Sequence, residues 1–230
     1  MDGKRISVEI WTDVVCPWCY LGRHRFQAAL AGFAHRDRVD VRVRSLELDP
    51  TGPRHDDPAN PPLRVPRRIQ RDLGLSPAQA DEAITMLDRL AAELGLRLNM
   101  AEARPVNSFD AHRLIHLAAG HGRADALWDR LMRAFATEGA LLSDHQTLTA
   151  LALSTGLPPG PVQAVLTSDA HADAVRADTA KAHTLGITGA PSFVFQHTHV
   201  IAGAQPTEVF TDLLRHSWQT TETPPPETHT

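Results

Sequence analysis

Ile6-Ser7-Val8-Glu9-Ile10-Trp11-Thr12-Asp13-Val14-Val15-Cys16-Pro17-Trp18-Cys19-Tyr20-Leu21 is the stretch that decides the fold. Its first half, Ile6 to Trp11, alternates its side chains and is rich in β-branched residues, the pattern of a strand. Its second half opens a helix. Pro17 sits where a first turn tolerates a missing N–H, and Leu21, Phe26, Ala29, Leu30 and Phe33 recur at near-helical spacing. Cys16 therefore stands at the seam between strand and helix. The 230 residues hold only two cysteines, Cys16 and Cys19. A bridge between them closes a loop too short to restrain the unfolded chain much, so the pair reads as chemistry and not as a staple.

Working outward, Val39-Asp40-Val41-Arg42-Val43-Arg44 alternates strictly and predicts a second strand. Six prolines between Pro50 and Pro66 predict a loop. Beyond Pro66 the chain reads as helical. Ser76 caps a helix with Pro77 in its first turn, its apolar stripe running from Ala80 to Leu94 and ending at Gly95. Further helices are expected over Ser108 to Ala119 and Ala124 to Ala136, then after a capping box of Ser143 and Gln146, and on through Leu185 to Gly186. Strand character returns at Ser192 to Phe195 and His199 to Ala202, a hairpin by their short separation, followed by a helix from Pro206. The Thr/Pro/Glu-rich residues 219–230 are expected to be disordered. The order predicts an α/β fold. One mixed central sheet is built from residues 1–50 and 172–218, with a large all-helical domain inserted at 51–171.

A 42% apolar share suffices for a core without metal or disulfide support. The net charge of −4 argues against nucleic acid and against an anionic membrane surface, both of which require a basic face. No run reaches the roughly 18 to 20 apolar residues of a membrane span. Met1-Asp2-Gly3-Lys4-Arg5 leads straight into the first strand without the apolar region of a signal peptide, so a cytoplasmic location is expected.

Disulfide exchange needs a thiolate and a second thiol that can resolve the mixed disulfide. A Cys-x-x-Cys opening a helix supplies both, because unpaired N–H groups and the positive end of the helix dipole favour negative charge on the first sulfur. Cys16 is thus the expected attacking thiol and Cys19 the resolving one. Zinc would need four ligands and there is no second cysteine pair, so no metal is expected. His112 and His116 are four apart on one expected helix face, but no third ligand is evident. They read as surface or capping residues, as do His197 and His199. Two inert buried cysteines are the bland alternative, disfavoured by Pro and Trp between them at such a seam. Glu47, at the end of the second strand, is a candidate for tuning the thiols or assisting proton transfer. Asp13 reads as turn-forming.

Asp13-Val14-Val15-Cys16-Pro17-Trp18-Cys19 resembles the active-site entrance of the DsbA family, in particular its FrnE-like branch. Ser45-Leu46-Glu47-Leu48-Asp49-Pro50, Asn107-Ser108 with Ala111-His112-Arg113-Leu114, and Gly186-Ile187-Thr188-Gly189-Ala190-Pro191-Ser192-Phe193 resemble further motifs of that branch, in family order. The resemblance implies a thioredoxin fold and a cis-proline at Pro191. It also implies a substrate-contacting set of Pro17, Trp18, Ala190 and Pro191, in which the backbone of Ala190 pairs with an extended substrate. It further implies exchange with protein or small-molecule thiols, a redox-active disulfide with no other cofactor, glutathione as a candidate co-substrate, and a monomer or homodimer. Two other functions share the scaffold. One is a glutathione-dependent isomerase or transferase, as in 2-hydroxychromene-2-carboxylate isomerases and kappa-class glutathione transferases, with a role in polyketide biosynthesis. The other is a peptide-binding or holdase module. In the isomerase-type relatives the nucleophile position is typically serine; both cysteines here favour internal exchange. Trp18 departs from the histidine of the secreted DsbA enzymes. An indole brings no charge to the thiolate, so a less oxidising pair is expected.

Overall fold

The computed structural model describes residues 4–221. Strands β1 (Ile6–Thr12), β2 (Val39–Ser45), β3 (Ser192–Phe195) and β4 (His199–Ala202) form one sheet in the order β2-β1-β3-β4. β1 pairs parallel with β2, while β3 is antiparallel to both β1 and β4. A parallel neighbour requires a crossover, and α1 (Pro17–Ala31) supplies it. Helices α2 (Val65–Leu73), α3 (Pro77–Ala92), α4 (Phe109–Gly120), α5 (Ala124–Ala136), α6 (His145–Ser154) and α7 (Pro159–Leu166) fill the long excursion after β2. Then α8 (Ala172–Thr184) returns to the sheet and α9 (Thr207–Thr220) follows the β3-β4 hairpin. This is the α/β architecture with a mixed sheet and a helical insertion that the sequence predicts.

Alternation along β1 sorts the two faces of the sheet. Ile6, Val8 and Ile10 pack with Phe26 of α1, Phe193 and Phe195 of β3, and Phe210 and Leu214 of α9. Trp11 turns the other way, joining Val194, Leu46, Ala182 of α8 and Ile187. β3 is buried along its whole length, as a central strand covered on both faces should be. A third core unites Cys16, Cys19, Tyr20 and Leu21 at the start of α1 with Trp128, Leu131, Phe135 and Leu148 of the helical block. The two cysteines thus lie where sheet and insertion meet. Arg23 fastens that junction: its guanidinium lies 4.7 Å from the Trp128 ring centre and donates to Asp125 at 2.5 Å.

Three local expectations are corrected. The Pro-rich loop ends earlier than expected, because Pro66 serves as a first-turn residue of α2, which stops at Gly74 with φ +65°. Ser143 and Gln146 form no capping box. The Asp144 carboxylate caps α6 by accepting from the backbone N–H of Gln146 and Thr147, since an anion satisfies two amides and suits the helix dipole. Ser143 instead accepts from the backbone N–H of His55. Finally, residues 219 and 220 belong to α9 and Thr221 caps it, its N–H donating to the Ser217 carbonyl; the rest of the expected tail, 222–230, lies outside the described residues. Among the described residues no helix is long and apolar enough to cross a membrane.

The face of the sheet under α8 carries a buried charge network. Glu9 is 2% exposed and accepts from Arg44 and from Lys181 at 2.7 Å; Arg44 also donates to Asp178 at 3.0 Å. Asp178 further accepts from the Ser45 backbone N–H. Burial alone would raise both carboxyls. For Glu9, Lys181 and Arg44 outweigh it; for Asp178, His116, the Ser45 N–H and Arg44 do so, and both are held below their ordinary range. A depressed carboxyl stabilises the fold above the unfolded value of about 4, and that contribution is lost as pH falls through the lowered value. Glu9→Gln is therefore expected to lower the unfolding free energy measured in urea at pH 7 by about 3–5 kcal/mol, as for a broken buried ion pair. It should also flatten the acid-induced loss of stability relative to the wild-type chain; an unchanged slope in urea titrations across the acid range would contradict this.

Candidate active site

Cys16 is the N-cap of α1, with extended backbone (φ −117°, ψ 111°) and no side-chain cap. Its carbonyl accepts from the N–H groups of Cys19 at 3.0 Å and Tyr20 at 3.4 Å, closing the first turn onto it. No acidic side chain lies in that turn, so nothing there offsets the dipole's preference for an anion at the sulfur. Both cysteines are thiols and lie beside each other. Cys16 is 6% exposed and Cys19 1%. Burial pushes the Cys19 thiol well up, and Cys16 adds to this; the Thr12 hydroxyl and the Asp13 N–H, 3.4 Å from Sγ, oppose it more weakly. Burial thus keeps Cys19 protonated.

The Ala190–Pro191 peptide is cis, and the Cys16 thiol lies 3.8 Å from the Ala190 carbonyl oxygen. The loop is tied down on both sides: Ser192 Oγ donates to the Gly189 carbonyl at 2.7 Å, and Gly203 N–H donates to that of Pro191 at 2.8 Å. A groove of about 230 Å³ runs alongside, lined by Thr188, Ala190, Pro191, Val200 and Ala202 among others. Of the sequence-predicted set, Ala190 is brought against Cys16, Pro17 is in the first turn of α1, and Trp18 is exposed on the same turn.

Asp13 and His112 are placed differently from expectation. Asp13 does form a local turn, accepting from the Val15 N–H, but it is fully buried and also accepts from the Leu48 N–H at 2.8 Å. His112 is neither a surface nor a capping residue; it too is fully buried, with Nε2 3.4 Å from Asp13 Oδ1. Burial works to raise Asp13, but His112, the Leu48 N–H and Ser108 hold it below the ordinary range. Glu47 is half-buried beside them, its carboxyl pushed up chiefly by burial, and Oε1 has no hydrogen-bond partner. His116, one turn beyond His112, contacts Asp178 and Ser45 instead, so the two imidazoles diverge. Asn107 stitches the loop after β2, its side-chain N–H donating to the Pro50 carbonyl.

Sequence reasoning also passed over Gly22. A Cβ there would stand 3.0 Å from Pro191 Cγ and 3.2 Å from Ala204 Cα, so only glycine lets α1 approach the Pro191 loop this closely. The available signal was a glycine inside a helix, which lowers stability by about 0.5–1 kcal/mol against alanine unless packing requires it. Gly120, at the end of α4, has nothing within 4 Å of the same position. The same substitution should therefore have opposite signs: Gly120→Ala neutral or slightly stabilising, Gly22→Ala destabilising, as read by thermal denaturation. A Gly22→Ala chain as stable as Gly120→Ala would remove the packing constraint.

With this geometry in place, comparison with known proteins is informative. The family model for the DSBA-like thioredoxin domain matches residues 7–215. The structure of the probable DsbA oxidoreductase SCO1869 from Streptomyces coelicolor is 41% identical, with a TM-score of 0.89, covering 95% of this chain and 92% of that one. The uncharacterized protein YwbO of Bacillus subtilis (strain 168) is 27% identical over 207 residues, 89% of this chain and 94% of YwbO. A 2-hydroxychromene-2-carboxylate isomerase structure shares the fold at 18% identity and a TM-score of 0.68, covering 91% of this chain and 95% of that one. A family match over nearly the whole chain places the protein among the DSBA-like thioredoxin domain proteins.

Proposed function

We propose that the chain is a thiol–disulfide oxidoreductase that exchanges disulfides with protein or small-molecule thiols through Cys16, with Cys19 as the resolving thiol. The observation that carries this is the placement of Cys16 at the open start of α1, against the Ala190 carbonyl, with Cys19 buried beside it. In the reducing direction the Cys16 thiolate attacks a substrate disulfide. A mixed disulfide forms and one substrate thiolate leaves, taking up a proton. Cys19, once deprotonated, attacks the Cys16 sulfur, releasing the second substrate thiolate and leaving the Cys16–Cys19 disulfide. The oxidising direction is the reverse of these steps.

The groove beside Pro191 suits an extended chain recognised through its backbone, with Ala190 as the pairing residue and Trp18 as an apolar rim contact. Such recognition reads backbone and not sequence, which fits a broad range of disulfides. Glutathione is a candidate co-substrate for resetting the pair. The reading places the chain in the cytoplasm: its two cysteines are both in the exchanging pair, and none is left for the structural disulfides of oxidising compartments.

Insulin-disulfide reduction tests the assignment. Cys16→Ser should lower the rate by roughly 100-fold or more, as expected when a nucleophilic sulfur is lost. Cys19→Ser should leave long-lived mixed disulfides on Cys16, visible by mass spectrometry. Full activity in Cys16→Ser would sink the proposal, and a purely glutathione-dependent isomerisation by the wild-type chain would replace it. A second outcome concerns Trp18. Trp18→His should make the pair more oxidising, and since 30 mV corresponds to about 1.4 kcal/mol, a glutathione redox titration resolves even a small effect. An unchanged potential would show that this position does not tune the thiols.

A further inference from the structure

The sheet ends at β2 on one side and at β4 on the other. β2 pairs with β1 alone, and Leu46 N–H, just beyond the strand, donates to the Thr12 carbonyl. Alternation then sets the direction of every other group. The backbone N–H and C=O of Asp40, Arg42 and Arg44 face β1, and those of Val39, Val41, Val43 and Ser45 face outward. The chain closes both ends of this outer row itself. Val39 N–H donates to the Arg36 carbonyl, and Ser45 N–H to the Asp178 carboxylate at 3.0 Å. Between them, the outward N–H and C=O groups of Val41 and Val43 have no partner among the described residues.

Such a row is a template for a further strand. Here it forms one wall of a groove of about 460 Å³, bounded on its far side by the end of α4 and the start of α5. Val41, Val43, Ile115, Ala119 and Ala124 supply the apolar lining. With a helical wall opposite, the groove suits a single extended segment and not the broad edge of a second sheet. The charges around it leave one cation available. Arg44 is engaged by Glu9 and Asp178, His116 by Ser45 and Asp178, and Asp125 by Arg23. The Arg42 guanidinium is exposed and makes no hydrogen bond or ion pair among the described residues; its charge acts on Asp40, which Arg5 already holds.

We propose that the β2 edge is a docking site for an extended segment of a protein partner, of apolar–acidic–apolar sequence, which adds antiparallel as a fifth strand. In antiparallel pairing the residues opposite Val41 and Val43 exchange N–H and C=O bonds with them and turn their side chains to the same face as those valines. The residue between lies opposite Arg42 and turns to its face, where a carboxylate completes a cross-strand ion pair. The Pro191 groove lies on the β3–β4 side of the sheet, across β1, and shares no lining residue with this one. A partner docked on β2 is therefore held without occupying Cys16 or the Pro191 loop.

A cysteine-free, end-capped fluorescent peptide, Thr-Val-Glu-Val-Thr, titrated into the full chain tests this. Binding should saturate, and N-methylation of the two valines should abolish it by removing the donors that face β2. Lysine in place of glutamate should weaken binding by roughly fivefold, the scale of one exposed ion pair, and Arg42→Glu should reverse the preference between the two peptides. By NMR-detected hydrogen exchange, the amides of Val41 and Val43 should gain about tenfold protection or more at saturation, and those of Asp40 and Arg42, already in the β1 ladder, much less. Equal binding of the N-methylated peptide, an unchanged preference in Arg42→Glu, or no added protection at Val41 and Val43 would each overturn the proposal. Protection of those two amides that rises with protein concentration in the absence of peptide would assign the edge to a second copy of the chain and overturn it as well.

Discussion

Everything in this structure that bears on function depends on one close approach, that of the first turns of α1 to the Pro191 loop. The helix must start at Cys16, directly off β1, so that the sulfur stands at the positive end of the helix dipole. It must also come near enough to the loop for that sulfur to reach the Ala190 carbonyl. Gly22 permits the approach, and the ties of Ser192 and Gly203 keep the loop from giving way. Burial of the sheet's phenylalanines against α1 and α9 holds α1 in place from below. The core and the site therefore share the same helix.

The helical insertion has a second role beyond enlarging the fold. Its core is continuous with the underside of the cysteine pair, since Cys19, Tyr20 and Leu21 pack with Trp128 and Leu131. Cys19 is consequently shut off from water while Cys16 keeps a little access. The two sulfurs thus differ in environment and not in residue type.

The legibility of each feature in the sequence depends on how local that feature is. The strands were legible in the alternation of Ile6 to Trp11 and Val39 to Arg44, and the start of α1 in Pro17, because period and turn chemistry act over a few residues. The helical block was legible as helices but not in all its ends. Asp144 outcompetes Ser143 as a cap by charge, and Pro66 opens a helix where a proline-rich run suggested only loop. The cysteine pair stood out by its spacing. The Asp13–His112 contact did not, because it joins the β1–α1 turn to α4 and exists only once the insertion has docked. Nothing in the residues flanking His112 distinguishes a buried imidazole from one on the helix surface. Gly22 escaped for the same reason, its constraint lying in Pro191 and Ala204 far along the chain.

The account stands or falls on the division of labour between the two sulfurs. Limiting iodoacetamide at neutral pH, with peptide mapping of the reduced chain, measures that division directly. The structure predicts that Cys16 is modified first and faster than a free cysteine, with Cys19 untouched until the chain is unfolded. Equal labelling of the two, or a Cys16 no more reactive than an ordinary thiol, would contradict it.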